Sequence, residues 1–280
     1  MASTAKYTAA PQEDPDAHTS YTQPPPSYEA HANTSSAQDN AYLLGVPRSS
    51  DDNIPDDFKF GGSVAEASVE IRNVFVRKVY TILTLQLIAT AIVSSISFFS
   101  PSYRAFIQSN TWVFWLSLVG SLGFLAATYW KRFSYPQNLV YLSGFTLLEA
   151  YTISVAVSFF ETQIVLNAVV LTAGMFVFLT AFACQTKYDF TSWMPYLLSM
   201  LWGLILFGFM SAFLPYSSTV DLIYGLISAM IFSVYILIDT QMVLRKHHVE
   251  EEIAAAISLY LDIINLFLAI LRILNNQNNN

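Results

Sequence analysis

Residues 221–274 read DLIYGLISAMIFSVYILIDTQMVLRKHHVEEEIAAAISLYLDIINLFLAILRIL, and this stretch decides the fold. It holds two apolar runs, 221–244 and 253–274, split by a charged turn from Arg245 to Glu252. At 1.5 Å per residue each run is long enough to cross a hydrocarbon core of about 30 Å as a helix. Lipid offers the backbone no hydrogen-bond partner, so helices are expected despite many β-branched residues. Each run contains one internal aspartate, Asp239 and Asp262. A carboxylate at bilayer depth costs roughly 2.5–3.5 kcal/mol, and such residues usually face a bundle interior or water and mark ion or proton pathways.

Five further apolar runs precede these two, at approximately 79–99, 112–130, 138–160, 163–184 and 192–213. Breakers and charges separate them: Pro101 with Arg104, Lys131 and Arg132 with Pro136, Glu161, Lys187 with Asp189, and Pro215. Trp112, Trp130, Tyr188, Trp193 and Tyr216 lie near the ends, as interfacial aromatic belts require. The expected fold is therefore all-α: a bundle of seven transmembrane helices over residues 67–280.

Residues 1–66 are of another kind. They are rich in Ser, Thr, Pro, Ala, Asp and Gln and lack periodic apolar runs, so they are expected to be a disordered tail. Ten of the twenty acidic residues fall there against three bases, Lys6, Arg48 and Lys59, which accounts for the whole net charge of −7. The remainder is balanced and carries no nucleic-acid footprint. The tail contains Pro24-Pro25-Pro26-Ser27-Tyr28, in which Pro25, Pro26 and Tyr28 form a Pro-Pro-x-Tyr pattern that aromatic grooves of WW domains accept. A WW-domain ubiquitin ligase is thus a candidate partner, with chance occurrence in a Pro/Ser-rich tail the alternative. Asn33-Thr34-Ser35 is a glycosylation sequon only if the tail faces a lumen.

Basic residues set the orientation. With a cytosolic N-terminus, that side receives Arg72, Arg77, Lys78, Lys131, Arg132, Lys187, Arg245 and Lys246, and the far side only Arg104 and Arg272. This positive-inside bias places the tail in the cytosol. Seven full spans put Asn275–Asn280 on the far side; a last segment that only dips into the membrane returns them to the cytosol.

Asp239 lies six residues before Arg245, about 9 Å deep, and Asp262 ten residues after Glu252, about 15 Å deep. A short turn makes the two segments antiparallel neighbours, so the carboxyls are expected to meet. Two carboxylates in contact at low dielectric cannot both ionise easily and titrate as a coupled pair. A shared proton would tie the helices together; its loss would push them apart. Arg132, at the cytosolic end of the second span, is expected to snorkel back onto either aspartate. Glu149, in the third span, either lines an aqueous path or binds a cation, with a structural hydrogen bond the alternative. Gln86 and Asn265 suit helix adhesion. His247 and His248 read as a solvated loop rather than a metal site, and no cofactor is expected. Cys184 reads as a buried small residue, with palmitoylation the alternative.

These residues resemble a known family. Ile71-Arg72-Asn73-Val74-Phe75-Val76-Arg77-Lys78-Val79-Tyr80 resembles the lead-in to the first helix of the Bax inhibitor-1 family, Lifeguard branch. Tyr235-Ile236-Leu237-Ile238-Asp239-Thr240-Gln241 is similar to its sixth-helix motif, and Ser258-Leu259-Tyr260-Leu261-Asp262-Ile263-Ile264-Asn265-Leu266-Phe267 to its seventh. The similarity covers about residues 66–274, and the tail-plus-core arrangement is similar to fungal and animal members alike. The family's basic residue at the end of the second helix falls on Arg132 by ungapped counting from the third helix, with Lys131 the alternative, and Glu149 sits where this branch tends to carry an acid. The resemblance implies a last helix surrounded by the other six and a pH-sensitive calcium leak gated by the paired aspartates. It further implies a link to calcium homeostasis, stress response and protection against cell death. The endoplasmic reticulum is the expected membrane, with vacuole or mitochondrion as alternatives. An intramembrane aspartyl protease would also pair two membrane aspartates, but Asp262 follows Ser258-Leu259-Tyr260-Leu261 rather than a glycine-flanked motif, so a non-enzyme is expected.

Overall fold

The computed structural model describes residues 63–211, 213, 215 and 217–278. The calls on Pro25, Pro26, Tyr28, Asn33 and Tyr216 lie outside them. Eight α-helices occur among the described residues: α1 (Val69–Phe99), α2 (Pro101–Ser109), α3 (Thr111–Trp130), α4 (Gln137–Val157), α5 (Thr162–Gln185), α6 (Met194–Ser211), α7 (Ser218–Arg245) and α8 (Glu252–Asn278). A 3-10 turn, Phe190–Trp193, leads into α6. All but α2 are long and apolar enough to span a membrane, which makes seven spans. The chain is an integral membrane protein of the expected helical class.

Three local features depart from the sequence reading. α1 starts at Val69 rather than Val79. Ser68 caps it by accepting from Ile71 N at 3.4 Å, and Glu70 in the first turn suits the positive end of the helix dipole. The polar residues Arg72, Asn73, Arg77 and Lys78 thus extend the helix beyond its apolar part. The join at Pro101 holds a helix of its own, α2, with Pro101 in the first turn and Ser100 accepting from Tyr103 N. Cys184 is exposed on the bundle surface, not buried.

α8 is the hub. It is buried over 72% of its most apolar window, against 11% for the span containing α6. It packs on α7, α1 and α5, while α3 and α4 form a second closely packed pair joined to the rest through α1. Tyr260, Leu259, Leu266 and Ile257 of α8 are fully enclosed, with Phe145 of α4 edge-on to Tyr260 at 5.9 Å. Gln86 of α1 donates to Thr146 of α4 at 3.1 Å, a polar tie between helices. Asn265 instead donates to Leu261 O of its own helix.

Candidate functional site

α7 and α8 run antiparallel around a short turn, and this brings Asp239 and Asp262 together. Each residue is only 6% exposed, and their carboxyl groups lie within hydrogen-bonding reach of each other. No N–H or O–H reaches Asp239 Oδ1 or Asp262 Oδ2. One oxygen of each carboxyl is therefore buried without a donor in a greasy surrounding, which is costly. Tyr235 on α7 is close to both aspartates, while Tyr129 of α3 and His247 of the turn are near Asp239. The hydroxyl of Tyr235 is likewise buried without a partner.

Arg132 does not reach either aspartate. Its Nη1 lies 3.6 Å from Glu251 Oε1 in the α7–α8 turn, and its guanidinium stacks 4.7 Å from the Phe133 ring. The expected snorkelling fails because Glu251 offers a nearer acid at the membrane edge, where Arg132 keeps partial solvation. Glu251 Oε2 also takes His247 Nδ1 at 3.4 Å and His248 N at 3.3 Å. The hydrogen bond from His247 holds the Glu251 carboxyl down at about 2, with His248 N, the His247 charge and Arg132 adding to it. Burial lowers His248. Glu251 thus gathers a cap of polar groups over the turn end of the two acid-bearing helices. Among the described residues no three His, Cys, Asp or Glu side chains form a metal-binding group.

Two further ties fix this end. Residues 63–65 lie along the turn: Val64 N donates to His247 O at 2.9 Å and Ala65 N to Arg245 O at 3.2 Å, with Val64 fully buried. Gln241, two residues past Asp239 and 1% exposed, clamps the α5–α6 turn. Its Oε1 accepts from Phe190 N at 2.9 Å and its Nε2 donates to Tyr188 O at 2.8 Å. The sequence motif around Asp239 contained Gln241, but only packing assigns it this partner.

Glu149 does not join the aspartates. It hydrogen-bonds Ser121 of α3 and lies near Tyr260 of α8. Tyr260 and Asp262 are two residues apart, so they project about 200° apart around α8. Glu149 thus borders a second polar face of the hub, where Tyr260 and Thr90 share a hydrogen bond of 2.9 Å. That face was not foreseen, because its hydroxyls are inconspicuous in apolar runs.

The family model described as inhibitor of apoptosis-promoting Bax1 matches residues 72–279. Bax inhibitor 1 of Schizosaccharomyces pombe is 38% identical over 279 residues, covering 98% of this chain and 99% of the relative. Protein lifeguard 4 of Mus musculus is 40% identical over 234 residues, covering 84% and 97%. The Golgi anti-apoptotic protein of Vaccinia virus (strain Lister) is 40% identical over 225 residues, covering 80% and 94%.

Proposed function

We propose, from the premise that this chain belongs to the Bax inhibitor family, that it regulates cell death as a pH-gated calcium leak of an endomembrane, foremost the endoplasmic reticulum. The observation that carries this is the contact of Asp239 and Asp262 inside the bundle. With one shared proton the carboxyls hold α7 to α8. With both ionised they repel, and the two helices part. Tyr129, Tyr235 and His247 face the pair and set the field in which it titrates; Arg132 stands off it, beside Glu251 and Tyr129. Hard cations such as calcium favour carboxylate and hydroxyl oxygens, so an acid-lined opening suits calcium as the permeant ion. Relatives named for inhibition and anti-apoptotic action, one of them also for the Golgi, support a non-enzymatic role in an endomembrane.

Calcium flux from liposomes holding the purified protein tests this across pH 6–8. Flux should vary with pH in the wild type and lose that variation in Asp239→Asn and Asp262→Asn. A pH profile retained in both variants removes the gate.

The Pro25, Pro26 and Tyr28 pattern supports a compatible second role, recruitment of a WW-domain ubiquitin ligase. Tyr28→Ala should abolish capture by an isolated WW domain; undiminished capture rejects it.

A further inference from the structure

α6 is the least enclosed span: only Leu197 and Leu204 of it are buried. Between it and α7 lies a groove of about 600 Å³, within the size range of small-ligand sites. Gly203, Leu204 and Phe207 form one wall and Tyr224, Ile227 and Met230 the other, and the lining is apolar almost throughout. Along α7 the groove runs from Val220 to Ile231. Those eleven steps span about 16 Å, roughly half of a hydrocarbon core of about 30 Å. The groove is therefore one leaflet deep, starting at the α6–α7 connection.

At that end stands an ion pair in neither the gate nor its cap. Arg272 Nε lies 3.3 Å from Asp221 Oδ1, and the guanidinium stacks 4.7 Å from the Tyr224 ring. Tyr224 in turn stacks on Phe207 at 5.8 Å, so the charged mouth is continuous with the apolar wall. The Arg272 side chain stays 43% exposed beside this carboxylate, so its planar guanidinium fork can also reach a further acceptor. The pair is neutral as a whole. An anionic head would confront Asp221, and an apolar helix would gain nothing from either charge.

We propose that this groove binds one zwitterionic phospholipid of the leaflet on the Ser218 side. One acyl chain lies between α6 and α7, the phosphate meets Arg272, and the head-group ammonium lies by Asp221. Gly203 provides the test, since it lines the groove and a Cβ there meets nothing within 4 Å.

The full chain, purified in detergent, is incubated with equimolar dioleoylphosphatidylcholine, dioleoylphosphatidylglycerol and oleate, and retained lipid is read by native mass spectrometry. One phosphatidylcholine per chain should be retained in preference to the other two. Gly203→Phe should reduce that retention about tenfold, equivalent to 1.4 kcal/mol, and Arg272→Gln should bring it down to the level of oleate. Gly174→Phe on α5, where a Cβ also meets open space, should retain lipid as the wild type does. Undiminished retention in Gly203→Phe overturns the site. Equal retention of oleate reduces it to an unselective apolar cleft, and preferred phosphatidylglycerol refutes the zwitterionic head. A wild-type dimer that Gly203→Phe abolishes assigns the groove to a second copy instead.

Discussion

Arg132 meets Glu251, Nη1 to Oε1 at 3.6 Å, and leaves Asp239 and Asp262 to each other. The acid that collects the polar groups at this end of α7 and α8 is thus in the turn, not in either span. Because Glu251 sits well below its ordinary 4.5, at about 2, its ionised form favours the folded state. That contribution is full above about 4.5 and is lost as pH falls toward 2.

Melting in detergent should therefore drop more between pH 7 and pH 4 in the wild type than in Glu251→Gln. The carboxylate is partly solvated, so the difference should stay near or below about 1 kcal/mol. Arg132→Gln should cost less still, since the Arg132 contact is long and half-exposed. Equal losses in wild type and Glu251→Gln would show that the cap adds nothing to stability.

Gln241 joins α7 to the α5–α6 turn through two backbone groups that no other described group satisfies in its place. Gln241→Ala strands Phe190 N–H and Tyr188 C=O, at about 1–3 kcal/mol for each that stays dry. A melting loss of that order is expected, with faster amide exchange confined first to residues 186–193. Fast exchange throughout α7 would mean that Gln241 supports the whole helix rather than the turn.

The spans and the aspartate pair were legible because lipid imposes one rule on the backbone and because an acid in an apolar run stands out. Asp239 and Asp262 could be matched in depth by counting from Arg245 and Glu252. Arg132 could not be assigned this way: depth counting ignores Glu251, which the turn folds back beneath the guanidinium. Nor could counting say that Glu149 faces a different side of α8, since that depends on how α4 is rotated against α1 and α3. The start of α1 was misplaced because hydropathy measures the membrane-buried part of a helix, not its capped, charged extension. The α6–α7 groove depends on how loosely α6 is enclosed, which composition does not record.

Gly144 of α4 lies against the Phe124 ring of α3, and a Cβ at this position would run into the ring's edge. Gly144→Val should lower stability by about 1–3 kcal/mol through overpacking. Gly144→Val with Phe124→Ala should recover part of it, and a double-mutant cycle measures the coupling. Strict additivity would place the cost elsewhere than in this contact.

Glu149 offers the sharpest separation of the proposed ion path from the proposed gate, because α8 stands between it and the aspartate pair. A carboxylate beside an ion's route concentrates cations wherever the gate is set. Glu149→Gln should therefore lower calcium flux at every pH, on the order of tenfold for a lost interaction of about 1.4 kcal/mol, and leave the shape of the pH profile unchanged. Liposome flux with wild type, Glu149→Gln and Asp262→Asn side by side decides the matter. Unchanged flux with a lowered melting temperature would make Glu149 a structural acceptor for Ser121. A displaced pH profile would couple the two polar faces through α8, with Tyr260 the residue placed to carry that coupling from one to the other.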